Sequence, residues 1–249
     1  MQNPQKTVEL FHLIFLRYMG EKLDKSLYSI KGGCNLRFFF KNIRYSEDLD
    51  IDIKTIAKET LRNKIQRLLE SQIFQQMLST RGIELERISE AKQTETTQRW
   101  KLSIKIQNMP MPLPTKIEFS RRKFDEISLF EPIDPELIQS HQLYPILINH
   151  YALEAAISQK IDALIHRTET QARDIFDLQL LLEKKCKAKF SFSLDAATNN
   201  IISVSFPEFK SQVVAYLMDE YQDYYDSVEI WSNMQKKVIE RLKECHETS

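Results

Sequence analysis

Glycine is scarce in this chain. Among 249 residues there are four, and two of them stand side by side at Gly32-Gly33. A residue so rationed, used twice running, answers a backbone need. Cysteine is scarcer still. Cys34, Cys186 and Cys245 are odd in number and far apart, which excludes a disulfide framework or a cysteine-based metal spacing and suits a reducing cytoplasm. Net charge is lacking too: 35 basic residues balance 35 acidic ones. No global field marks a nucleic-acid binder, although a local basic patch stays open. No apolar run approaches the roughly 18 residues of a membrane span. The N-terminus lacks the basic region, apolar run and small-residue cleavage site of a signal peptide. The five histidines show no ligand spacing. An apolar share of 42% supports a core, and the length suits two modest domains or one large one.

What is present is an acidic ladder. In Ser46-Glu47-Asp48-Leu49-Asp50-Ile51-Asp52-Ile53 an aspartate recurs at every second position. Strand side chains alternate faces, so Asp48, Asp50 and Asp52 share one face while Leu49, Ile51 and Ile53 share the other. Carboxylates crowded on one face repel unless a cation sits among them. Mg²⁺ suits the task, since it takes one or two carboxylates together with phosphate oxygens. A solvated edge strand is the plainer alternative.

Apolar spacing predicts a helix over residues 7–24, a short strand at 27–30 ended by Gly32-Gly33, and a short helix over 34–40. A strand follows at 48–53, helix over 56–78, and strands at 83–88, 100–106 and 115–120. In the last of these Glu118 shares a face with Lys116 and Ser120. Residues 125–150 are irregular and proline-bearing. The expected division is a domain over residues 1–135 and a helical one over 136–249, with helices at 151–167, 171–187 and within 207–245, and a Ser/Asn-containing loop at 191–204. The tyrosines 216, 221, 224 and 225, with Trp231, are expected to pack the C-terminal helices.

These pieces form a chemical constellation. Glycines at a strand-to-helix turn let backbone N–H groups approach a phosphate at a helix N-terminus. Asp48 and Asp50 would hold Mg²⁺ against the same phosphates. Glu118 would complete a two-metal site or take a proton from an attacking hydroxyl. Ser46 could donate to phosphate or simply bond its own turn, and Arg37 and Arg44 could equally be surface residues. In the later helix Lys160 falls on the core-facing stripe of Leu153, Ile157 and Leu164, so it must snorkel or find an anionic partner. Asp174 shares a stripe with Leu178 and Leu181, and a first-turn role is its alternative.

Gly32-Gly33-Cys34-Asn35-Leu36-Arg37, followed by Arg44-Tyr45-Ser46-Glu47-Asp48-Leu49-Asp50-Ile51-Asp52, resembles the opening motif of the AbiEii/AbiGii-type nucleotidyltransferase toxins, members of the DNA polymerase β-like superfamily. Lys160-Ile161-Asp162-Ala163-Leu164, Arg167 and Arg173-Asp174-Ile175-Phe176-Asp177-Leu178 resemble a second family segment, with Gln159 standing where an acidic residue is usual. The resemblance spans roughly residues 25–185.

It implies an α/β (α+β) fold, a nucleotidyltransferase domain with a small mixed sheet followed by a helical domain. It implies a Mg²⁺-dependent enzyme that moves a nucleotide from an NTP to a hydroxyl of RNA, tRNA in some relatives, with pyrophosphate leaving. The implied catalytic set is Asp48, Asp50, Glu118, Lys160 and Asp174, with metal on the first three. The implied nucleotide-binding set is Gly32, Gly33, Arg37, Ser46 and Lys160. Whether Asp174 touches nucleotide or holds Lys160 or Arg173 stays open. A cognate antitoxin is the expected partner, in a toxin–antitoxin or phage-defence setting in the cytoplasm. Transfer to a protein hydroxyl, or a non-catalytic binding module, are the alternatives.

Overall fold

The structure is a computed structural model and describes residues 3–107, 109–121, 127–184 and 188–247. Cys186 lies outside the described residues. The chain divides into two compact units, Met1–Phe39 with Tyr45–Tyr151 and Phe40–Arg44 with Ala152–Ser249.

The first unit is built on a seven-stranded mixed sheet. Its strands are β1 (Tyr28–Lys31), β2 (Asp48–Ile53), β3 (Ile83–Gln93), β4 (Thr97–Ile106), β5 (Leu113–Ser120), β6 (Ser128–Pro132) and β7 (Leu147–Tyr151). They lie in the order β3-β4-β5-β2-β1-β7-β6. The pairs β2–β5 and β1–β7 are parallel and the others antiparallel. The sheet is larger than the sequence pattern suggests, because β6 and β7 come from the proline-bearing stretch. They carry the first unit to Tyr151, beyond the expected end at 135. Pro132 closes the edge strand β6, where a missing N–H is tolerated.

Strand alternation divides the two faces. Leu49, Ile51, Trp100, Leu102, Ile117 and Phe119 are buried on one of them. Helices α1 (Pro4–Lys22), α3 (Lys58–Glu70) and α4 (Gln72–Ser79) belong to the same core cluster through Phe11, Ile14, Phe15, Leu61, Ile65 and Phe74. Phe74 meets Phe15 edge-on at 6.4 Å between centroids and Phe11 at 6.3 Å. The opposite face carries the acidic ladder. Helix α2 (Gly32–Phe39) leaves directly from β1, and α5 (Pro135–Ser140) joins β6 to β7.

The second unit is helical: α6 (Leu153–His166), α7 (Ala172–Leu182), α8 (Leu194–Ser203), α9 (Phe206–Gln212), α10 (Asp219–Tyr225) and α11 (Val228–Cys245). Helix α8 corrects the loop expected over 191–204. Ser193 caps it, accepting from the Ala196 N–H, and Ala197 and Ile201, one turn apart, are buried. A cap plus an i,i+4 apolar pair outweighs the loop-like composition of Thr198-Asn199-Asn200. Trp231 stacks on Phe209 at 4.3 Å and Tyr225 meets Phe176 edge-on at 5.5 Å, while Tyr224 stays exposed. Among the described residues no helix is long and apolar enough to cross a membrane.

Candidate active site

The turn from β1 into α2 depends on Gly32. Its φ is +64°, and a Cβ there would stand 3.2 Å from Asp50 Oδ2. A side chain would therefore incur both left-handed strain and a crowded carboxylate. Gly33 lies in the first turn of α2, among the N–H groups that a helix start leaves without internal partners.

The register sets the carboxylates. Asp48, Asp50 and Asp52 lie opposite Lys116, Glu118 and Ser120 across the parallel β2–β5 pair. Lys31 and Ser29 lie opposite Asp50 and Asp52 on β1. The three aspartates do share a face, as alternation demands, and Glu118 joins them. Their surroundings differ. Asp48 pairs with Lys116 at 2.8 Å. Asp52 is buried, pairs with Lys31 and accepts from the Tyr151 hydroxyl at 2.8 Å. Glu118 takes two of the three Arg99 guanidinium nitrogens on Oε2, Nη2 at 2.5 Å and Nε at 2.6 Å. Asp50, between them, makes no hydrogen bond or ion pair among the described residues. Burial pushes its carboxyl above the usual carboxylate range; Lys116 and Lys31 oppose that, while Asp48 and Glu118 add to it.

Behind the ladder lies a set of polar contacts that residue spacing did not reveal. The Cys34 thiol donates to the Asp48 carbonyl at 3.2 Å, and Ser46 Oγ donates to the same oxygen at 2.9 Å. Thr115 Oγ1 donates to the Glu47 carbonyl at 2.6 Å and contacts His12 Nε2 at 2.9 Å. Because the threonine proton is used, His12 carries its proton on Nε2. His12 Nδ1 stands 3.7 Å from the Cys34 sulfur. Burial lowers the His12 pKa to about 4, against the pull of Asp48 and Glu9. Burial also pushes the Cys34 thiol well up, which makes it an inert packing and donor group.

Arg37, a nucleotide-binding candidate, is engaged inside the unit. Its Nε reaches Glu9 Oε2 at 2.5 Å, and its guanidinium lies 4.8 Å from the Tyr45 ring centroid. His141 Nε2 contacts the other Glu9 oxygen at 2.8 Å. Burial acts to raise the Glu9 pKa, but hydrogen bonds from His141 and Arg37 hold it below the usual range. Ser46 likewise takes the turn-bonding alternative.

The second unit gathers Lys160, Asp174, Asp177 and Arg44. Lys160 Nζ stands 2.8 Å from Asp174 Oδ1 and 2.6 Å from Asp177 Oδ2. Arg44 reaches both oxygens of Asp177, the nearer at 2.9 Å, and Asn42 donates to Asp177 at 2.8 Å. Arg167 Nε approaches Asp174 Oδ2 at 3.0 Å. Both aspartates are fully buried, and buried charges persist only when paired. Burial acts to raise the Asp177 pKa, and Arg44 and Lys160 together drive it far below the carboxylate range. Asp174 therefore holds Lys160, one of the roles left open by its sequence. Arg44 is a buried partner of Asp177 rather than a surface residue. Asp177 lay within the second family segment, and only its burial reveals its role.

Among the described residues no group of three or more His, Cys, Asp or Glu is gathered in the form of a metal centre. Lys116 and Arg99 hold two of the carboxylates assigned to metal from sequence. The donor chemistry nevertheless fits a hard divalent cation. Asp50 is an unpartnered carboxylate whose neighbours Asp48 and Glu118 disfavour its charge, and Glu118 Oε1 takes no described bond.

A glycine turn feeding a helix beside an Asp-x-Asp strand, with a third carboxylate on the parallel neighbour, defines a nucleotidyltransferase domain. The model of the AbiEii nucleotidyl transferase toxins of type IV toxin–antitoxin systems matches residues 15–205. The chain belongs to that family and is a nucleotidyltransferase. No curated protein matches it significantly. Among solved structures it is similar to JHP933 from Helicobacter pylori, at 19% identity and TM-score 0.56, covering 98% of this chain and 96% of that one. It is also similar to MenT4, the nucleotidyltransferase toxin Rv2826c of Mycobacterium tuberculosis H37Rv, at 14% identity and TM-score 0.67, covering 97% and 86%. At these identities the likeness concerns the fold.

Proposed function

We propose that the chain transfers a nucleotide from an NTP to a hydroxyl of an RNA acceptor, of which tRNA is the first to test, in a Mg²⁺-dependent reaction. The observation that carries this reading is the unpartnered Asp50 between Asp48 and Glu118, a site short of positive charge. Mg²⁺ held by Asp48, Asp50 and Glu118 would supply charge neutralisation at the phosphates. The N–H groups that open α2 at Gly32 and Gly33 hold phosphate oxygens. The acceptor oxygen attacks the α-phosphorus in line; the new O–P bond forms as the bond to the β-phosphate bridge breaks, and pyrophosphate leaves. Glu118 Oε1 takes the hydroxyl proton. Lys160 has three donors and spends two on Asp174 and Asp177, which leaves one for an anionic ligand. Most of the rate enhancement on this reading is positioning and electrostatics.

Arg37 acts through Glu9 and Tyr45 by bracing α2, and Ser46 acts through the Asp48 carbonyl. Family membership supports a toxin with a cognate antitoxin, and the cytoplasm is where NTP and RNA both occur. The test is incubation with each α-labelled NTP, Mg²⁺ and total RNA or lysate. Label in RNA is expected. Label in protein, or none despite retained NTP binding, overturns the acceptor assignment. Asp48→Ala is expected to abolish transfer with an unchanged circular dichroism spectrum, and full activity in that variant would falsify the metal assignment.

A further inference from the structure

The sheet face that carries the ladder continues outward over β5, β4 and β3, and its charge changes sign. Lys101 on β4 lies directly opposite Lys116 on β5, and Lys92 on β3 lies directly opposite Arg99 on β4. Like charges directly opposite one another destabilise a sheet. The inner member of each pair is compensated, Lys116 by Asp48 and Arg99 by Glu118. The outer members are not. Lys92 and Lys101 are exposed and make no ion pair or hydrogen bond among the described residues. The carboxylates nearest in sequence to Lys92 are occupied, Glu90 by Arg62 and Glu95 by Lys58. Two opposed cationic pairs therefore persist at a cost, on the face that bears the carboxylates.

We infer that Lys92 and Lys101 bind the phosphodiester backbone of the acceptor RNA and guide its end to the ladder; this rests on the transfer reading above. Strands are spaced about 4.8 Å apart, so Lys101 stands roughly 10 Å from the ladder and Lys92 roughly 14 Å. A triphosphate held at Asp48 and Asp50 makes no use of charges two and three strands away, whereas a polyanion does. Hydroxyls are interleaved with the cations: Ser89 opposite Lys101, and Thr97 on the same face of β4, where Ser103 is taken by Glu86 Oε2 at 3.3 Å. Lysine, arginine and serine are the side chains that contact phosphate and sugar. The aromatics of these strands, Trp100 and Phe119, are buried on the other face, so the track offers no stacking platform and reads backbone rather than base.

The probe is a 5′-fluorescein single-stranded RNA, titrated by anisotropy in Mg²⁺-free buffer at several KCl concentrations, with wild type, Lys92→Gln/Lys101→Gln and Lys92→Arg/Lys101→Arg. The glutamine pair is expected to weaken binding about tenfold at 0.1 M salt and to flatten the salt slope by about 1.4, which is two single-strand phosphate contacts. The arginine pair keeps wild-type binding. Melting temperature stays level or rises in the glutamine pair, because like-charge repulsion is removed, so misfolding does not mimic the effect. Unchanged affinity and slope overturn the proposal. Equal loss of binding to poly-glutamate also overturns it, in favour of an acidic protein partner. Binding is read without turnover: a wild type that labels no RNA yet binds it through these lysines sinks the transfer reading and the guiding role with it, and leaves only the backbone contact of Lys92 and Lys101 standing.

Discussion

Gly32 and Asp50 are in near contact across the β1–β2 pair, so closely that a Cβ on the glycine would stand 3.2 Å from the carboxylate oxygen. The turn that presents N–H groups and the strand that presents carboxylate are thus one packed unit. Gly32→Ala is expected to cost about 1–2 kcal/mol from its left-handed backbone, a melting-temperature loss of roughly 2–8 °C, and to reduce transfer far more than stability. Gly33→Ala, in helical backbone, is expected to melt level with wild type or higher while weakening NTP binding. Thermal melts and NTP titrations on both variants check the contrast, and equal stability losses would contradict it.

Asp50 is expected to trade stability for function. Its carboxyl titrates above the usual range, chiefly through burial. A raised acid pKa means the folded state prefers the protonated form: the stabilisation is full below the unfolded-state pKa, near 3.9, and is lost as pH rises through the folded one. At pH 7 Asp50→Asn removes that penalty. The variant is expected to melt higher than wild type and to transfer nothing. Adding millimolar MgCl₂ is expected to raise the wild-type melting temperature and to leave the variant unmoved. An equal metal shift in both would remove Asp50 from the cation site.

His12 gives the first unit an acid limit. Its folded pKa of about 4 lies below the roughly 6.5 of an unfolded histidine. The stability it contributes is full above about 6.5 and is lost as pH falls towards 4, a total of about 3 kcal/mol. Urea unfolding at pH 7.5 and pH 5 measures the loss. His12→Gln keeps a donor towards Thr115 and is expected to flatten the dependence. A variant with the wild-type slope would show that another group carries it.

Asp177 holds the second unit together. Removing it leaves Arg44 and Lys160 facing a lost buried partner, and breaking buried pairs costs about 3–5 kcal/mol. Asp177→Ala is expected to melt at least several degrees lower, with Asp177→Asn milder because one acceptor oxygen survives for Asn42 or Arg44. Its depressed pKa places the stability it supplies above about pH 4, fading as pH falls further. Melting curves at pH 7 and pH 3.5 test both statements.

The parts of the site that were legible in the sequence are those written in local spacing. Period-two aspartates with intervening Leu49 and Ile51 marked β2 at its observed bounds, and rationed glycine marked the turn whose positive φ is observed. Glu118 was legible as a strand carboxylate, but its place opposite Asp50 comes from parallel pairing. Strands β6 and β7 escaped notice because prolines and short length hid their alternation, and α8 because its signal was one cap and one buried pair. His12 with Thr115, and Arg44 with Asp177, are 103 and 133 residues apart. No window along the chain contains either pair.

By itself the sequence determined the chemical inventory: which side chains alternate on a strand, where a glycine is required, and which family pattern they follow. Alternation and backbone sterics are local, so those features needed no partner to be read. Only the tertiary structure decided which carboxylate is left without a cation, which arginine is consumed by Glu9, and which lysines stand opposed on the outer strands. Charge compensation depends on distance between residues that the sheet's pairing brings together, and that pairing is set by the burial of the whole core.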